Sequence, residues 1–186
     1  MWVAALNLAY FGIEFAVALS AGSVSLFADS IDFLEDAAIN GLILLALAWP
    51  ARQRARLGFV LAVVLLAPGI ATLWTAWQKF AAPVPPPGAL LSLTGFGALM
   101  INLACAYMLA EFRRASGSLT RAAFLSARND VFGNVAIVAA GILTATLHSV
   151  WPDLLVGLGI FVLNLGAAWE VHQAARRELR LTDAAS

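Results

Sequence analysis

The chain has 186 residues, of which 62% are hydrophobic and 12% charged, with a net charge of zero and a mean hydropathy of +0.87. Soluble domains carry about a quarter charged residues, so the composition excludes an ordinary soluble domain and predicts an integral membrane protein. Cys105 is the lone cysteine, which excludes an intrachain disulfide and a thiolate metal cluster and reads as a small packing residue.

A membrane-spanning helix needs about 20 apolar residues, and six stretches qualify. The first is Trp2–Ser20, where Met1-Trp-Val-Ala-Ala lacks the basic start of a cleaved signal peptide. Asn7 and Glu14 lie seven residues apart and share one face. Glu14 is read as a proton relay or a supporting acceptor, with a helix-packing hydrogen bond as the plainer alternative. The second stretch, Ser25–Trp49, carries Asp29, Asp32, Glu35 and Asp36. Asp29, Asp32, Asp36 and Asn40 fall on one helical face. Carboxylates in hydrocarbon are costly, and they mark ion or proton pathways. Asp32 and Asp36 are the first candidate metal ligands; Asp29 and Glu35 are candidates for a proton relay or supporting shell, Glu35 pairing with Arg128.

Pro50-Ala-Arg-Gln-Arg-Ala-Arg56 separates this from a third span, Leu57–Phe80. The proline-rich Pro83–Gly88 turn leads to a fourth, Ala89–Phe112, where Asn102 is expected to hydrogen-bond between helices. The fifth, Leu119–Leu147, opens after Ser118, a candidate helix cap, and carries Ser126, Asp130 and Asn134 at successive turns of one face. Trp151–His172 is the sixth, with Asn164 as a further interhelical hydrogen-bonding residue. Asp153 is expected to cap this sixth helix, and His148 and His172 to be interfacial.

Ten of the eleven basic residues are arginines. Most gather in the second-to-third loop, around the fourth-to-fifth loop and near the C-terminus. The positive-inside rule then predicts both termini in the cytoplasm. Rise per residue places Asp32 roughly 10 Å and Asp36 roughly 16 Å below the outer face. Asp130 then lies about 12 Å and Ser126 about 18 Å from that face. Asp32 is thus expected to face Asp130, and Asp36 to face Ser126. Three converging carboxylates repel unless a divalent cation or protons join them, and oxygen donors suit hard or borderline ions. The ligand set read from the sequence is Asp32, Asp36 and Asp130, with Ser126 or Asn129 as the fourth oxygen. No Walker loop, nucleophile motif or dinucleotide fingerprint is present, so neither an enzyme nor an ATP-driven pump is expected. No cofactor and no nucleic-acid partner are expected either.

The run Gly22-Ser-Val-Ser-Leu-Phe-Ala-Asp29-Ser-Ile-Asp32-Phe-Leu-Glu-Asp36 resembles the cation diffusion facilitator family. So do Asn7 and Glu14, Ser126-Ala-Arg-Asn-Asp130 and Asp153-Leu-Leu-Val-Gly-Leu-Gly159-Ile. The resemblance implies a six-helix transmembrane domain over residues 1–180 with a short cytoplasmic tail at 181–186. It implies export of a divalent metal from the cytoplasm by proton antiport. The metal would be zinc or a related ion such as manganese, cobalt, iron or cadmium. It also implies a tetrahedral site at Asp32, Asp36, Ser126 and Asp130. Ser126 stands where the family commonly has His or Asp, which shifts the expected preference away from zinc. The family's usual cytoplasmic domain is expected to be missing, leaving a homodimer to form through membrane helices, with Trp74 and Trp77 as the contact. A bacterial inner (plasma) membrane is the expected location. The alternative is a non-transporting metal-binding or regulatory membrane module of the same fold.

Overall fold

A computed structural model describes residues 2–46, 70–112 and 118–163, with side chains placed at 2–41, 70–110 and 127–163. Among the described residues all regular structure is α-helical. The helices are α1 (Trp2–Ala21), α2 (Val24–Ala46), α3 (70–81), α4 (Gly88–Phe112), α5 (Ser118–Leu147) and α6 (Trp151–Leu163). The starts of α1, α2, α4, α5 and α6 fall within a residue or so of the expected spans, and the expected third start, at Leu57, lies outside the described residues. Trp2–Ala21, Gly88–Ala110 and Ala127–Leu147 are long and apolar enough to cross a membrane. α2 is long enough but carries four acids, which sets it apart from those three. The arginine clusters at 52–56, 113–114 and 176–180, and Asn164 and His172, lie outside the described residues.

Side chains pair along α1 and α2 in opposite directions, so the two helices run antiparallel. Phe15 stacks on Phe27 and Tyr10 on Phe33, with ring centroids 5.5 and 5.0 Å apart. α4 and α5 are likewise antiparallel, Ser92 donating to the Val138 carbonyl at 3.0 Å. Gly88 and Gly141 let these backbones touch: a Cβ on either would collide with the other's carbonyl oxygen. Ala18, Leu26, Phe27, Ile31, Leu91, Ile137 and Ile160 form the principal core, drawn from α1, α2, α4, α5 and α6.

The α1–α2 turn is built from three local devices. Gly22 adopts φ of +60°, the left-handed conformation that ends many helices. Ser23 N–H then reaches back to the Ala18 carbonyl at 3.1 Å, which closes a Schellman motif. Ser23 Oγ in turn accepts from Leu26 N–H at 3.2 Å and caps α2.

The remaining exposed donors at this helix start are met from far along the chain. Asp153, fully buried, accepts from Val24 N–H at 2.9 Å and Ser25 N–H at 3.1 Å. It also accepts from the hydroxyls of Ser23 and Ser25, each at 2.7 Å. The sequence reading had Asp153 capping its own helix; it lies inside α6 and caps α2 instead. The physical reason is that α2 begins with orphan N–H groups and a positive dipole end in a buried place. Gly157, one turn on, makes this approach possible, since a Cβ there would lie 2.7 Å from Ser25 N. Lys79 of α3 donates to the Gly22 carbonyl at 2.6 Å and contributes a positive charge near Asp153. α3, the turn and α6 thus lock together around the start of α2.

Candidate cation site

α2 presents its acids inward. Asp29 is 1% exposed, Asp36 5% exposed, and Asp32 and Glu35 are partly buried. α1 supplies Asn7 and Glu14, each 0% exposed. The antiparallel pairing sets Asn7 level with Asp36, to which it donates at 3.4 Å. It sets Glu14 level with Asp29, and the two carboxyl groups come within hydrogen-bonding reach of each other. Of these two, Asn7 makes the packing hydrogen bond, whereas neither oxygen of Glu14 meets an N–H or O–H. Cys105 is buried as expected, its thiol directed at Asn7 Oδ1 at 3.3 Å. Asn40 bends back to its own helix, donating to the Asp36 carbonyl at 2.8 Å.

α5 closes the other side. Asn134 donates to Asp29 Oδ2 at 2.6 Å and accepts from Asn102 of α4 at 3.0 Å. Asn102 therefore bonds between helices, as its intramembrane position predicts. The Asn134–Asp29 bond also fixes the register of α2 against α5. One turn along each antiparallel helix brings Asp130 beside Asp32, and a further turn sets position 126 level with Asp36. The field at Asp32 comes from Asp130 foremost, then from Asp29, Glu35 and Asp36. Asp130 in turn feels Asp36, Asp29 and Glu35. The three expected ligands therefore share one electrostatic neighbourhood. Among the described residues, no three His, Cys, Asp or Glu side chains stand close enough to hold a metal ion, so Asp32, Asp36 and Asp130 do not form the closed group expected from rise per residue.

Several expectations separate at this point. The side chain of Ser126 lies outside the described set. Asn129 is exposed, about 100° round the helix from Asp130. Arg128 is exposed too, and the charge acting on Glu35 is that of Asp36 rather than Arg128. His148 is exposed at the end of α5 with φ of +52°, a conformation that terminates helices. The sequence reading missed the clamp of Ser23, Ser25 and Lys79. Its one available signal was Ser-x-Ser directly before an acid-bearing helix, which reads as a cap but does not reveal the distant acceptor.

Apolar helices long enough to cross a membrane, arranged around buried carboxylates, define an integral membrane domain with a polar interior. The chain belongs to the cation efflux family: the description "Cation efflux transmembrane domain" matches residues 1–179. It is 28% identical to the zinc transporter ZitB of Pectobacterium atrosepticum over 175 residues, covering 87% of this chain and 54% of that protein. Against the zinc transporter ZitB of Escherichia coli it is 25% identical over 179 residues, covering 90% of this chain and 57% of the relative. The chain thus spans little more than half the length of these relatives.

Proposed function

We propose that the chain is a secondary transporter that exports a divalent transition-metal cation from the cytoplasm in exchange for protons. The metal is zinc or a close relative such as manganese, cobalt, iron or cadmium. The membrane is the bacterial inner membrane, with both termini and the arginine-rich loops on the cytoplasmic side. Asp32, Asp36 and Asp130 are the ligands. The fourth oxygen comes from Ser126 or Asn129, and helical register favours Ser126, one turn from Asp130 on its own face.

The observation that supports this reading is the Asn134–Asp29 hydrogen bond, from whose register helical rise puts Asp130 level with Asp32. A divalent ion entering there relieves their repulsion, and protons can do so in its absence. Binding of one expels the other, which is the elementary step of antiport. The relatives' printed activity, zinc transport, supports the same class of cargo. Trp74 and Trp77 are 62% and 65% exposed on α3, and theirs is the face we propose for a homodimer.

Transport of Zn2+, Mn2+, Co2+, Fe2+ and Cd2+ into proteoliposomes under an imposed pH gradient tests the proposal. Asp32→Ala, Asp36→Ala and Asp130→Ala are each expected to abolish flux while the protein still folds. Flux retained in any two of the three overturns it. Metal bound without pH-dependent flux would instead make the chain a binding or regulatory module of the same fold.

A further inference from the structure

The buried polar network around Asp29 contains more acceptors than donors. Asn102 Nδ2 donates to Asn134 Oδ1, and Asn134 Nδ2 donates to Asp29 Oδ2. At one end of this chain Asn102 Oδ1 has no donor, and at the other neither oxygen of Glu14 has one. An ionised carboxylate accepts only. Two ionised carboxylates in contact, both cut off from water, would leave a doubly charged pair held by the single amide of Asn134. Burial of that kind is costly by several kcal/mol per ion.

One proton removes the conflict. It turns Glu14 or Asp29 into a donor, the two carboxyls then share a short O–H···O contact, and the pair keeps one negative charge for Asn134 to address.

We propose that Glu14 and Asp29 form a proton-holding carboxyl pair, distinct from the Asp32, Asp36 and Asp130 metal site and one turn nearer the α1–α2 turn. The proposal rests on the antiport reading for its role: the pair is where the counter-transported proton resides between turnovers. The groups that face it are Asp32 on α2, Asp130 and Asn134 on α5, and the Tyr10 phenol on α1. Tyr10 is already committed, donating to the Thr94 carbonyl of α4 at 2.6 Å. No competing donor or basic side chain reaches the pair among the described residues.

The test combines infrared spectroscopy with flux, on the full chain in lipid at neutral pH. The wild type should show a carboxylic-acid C=O component, additional to any from protons held at Asp32, Asp36 and Asp130, that disappears in Glu14→Gln and again in Asp29→Asn, because sharing a proton needs both partners. The double variant Glu14→Gln/Asp29→Asn places two amides that can bond each other, and it serves as the folding control. In proteoliposomes, Glu14→Gln should equalise Cd2+ flux with and without an imposed pH gradient. Persistence of that component in both single variants, or its absence from the wild type, overturns the pair. A wild type that moves no Zn2+ or Cd2+ overturns the transport reading, while the band still decides the pair. Flux in the wild type that follows Na+ or K+ rather than pH would assign the pair to a monovalent cation and overturn the proton.

Discussion

Asp153 and Glu14 are both fully buried acids, yet the fold treats them in opposite ways. Asp153 receives four hydrogen bonds from the start of α2 and lies near the Lys79 charge. Glu14 receives none and faces another carboxyl. A carboxylate surrounded by N–H and O–H donors is a fixed charge, held for architecture. A carboxylate without donors is open to a change of partner, which is what ion exchange requires. The bundle therefore divides into a locked end around the α1–α2 turn and an exchangeable interior beneath it, and both are built from the same residue types.

Breaking the exchangeable half should have the largest effect. Loss of Asp32, Asp36 or Asp130 is expected to reduce metal flux to background, measured as Cd2+ uptake into proteoliposomes, with little change in thermal stability. Stability unchanged is the informative part for Asp32 and Asp130, where one of several mutually repelling charges is removed; Asp36→Ala also loses the Asn7 hydrogen bond and should cost about 1 kcal/mol.

Breaking the locked half should show the reverse pattern. Asp153→Ala strips the acceptor from two buried backbone N–H groups and two hydroxyls. At roughly 1–3 kcal/mol for each orphaned group, a loss of at least about 3 kcal/mol is expected, seen as a large drop in melting temperature in detergent. Asp153→Asn keeps one acceptor oxygen and should fall between. If Asp153→Ala melts like the wild type, the division into two halves is wrong.

Smaller changes sharpen the boundary. Gly157→Ala forces a methyl against the Ser25 amide and should cost about 1–3 kcal/mol by overpacking. Ser23→Ala removes the local cap and should cost about 1 kcal/mol. Lys79→Met loses the bond to the Gly22 carbonyl and should also cost about 1 kcal/mol. All three are expected to leave the metal selectivity of the proposed transport unchanged, which a competition assay would read directly.

Much of this was legible in the sequence because membrane helices obey simple length and hydropathy rules. The starts of α1, α2, α4, α5 and α6 followed from apolar runs and turn residues. Rise per residue and antiparallel direction also led to the expectation that Asp32 faces Asp130, which the flux variants above test. The hydrogen bond of Asn102 followed from its position inside a span. Long-range satisfaction of donors was less legible. Nothing local to Trp151-Pro152-Asp153 says that its carboxylate reaches back to Val24 and Ser25, and helix capping by a neighbouring residue was the natural reading. Glu14 illustrates the same limit from the other side. Its face and depth were readable, but whether a donor waits there depends on which residues of α2, α4 and α5 arrive. The choice between Ser126 and Asn129 is not legible in the sequence, because it depends on how α5 is rotated; Ala127, Asn134 and Ile137 are its buried positions.

The pinned start of α2 also has a mechanical meaning. The described 23 residues of α2 span about 35 Å, and the first turn is held by the densest set of hydrogen bonds along them. Such a rod behaves as a lever. A tilt of about 10° about the Ser23–Asp153 clamp would displace its far end by about 6 Å, by the geometry of a rod of that length. The same tilt would move Asp29 far less and Asp36 more. Small rotations at the clamp would thus be felt in graded order along the acids, least at Asp29 and most at Asp36.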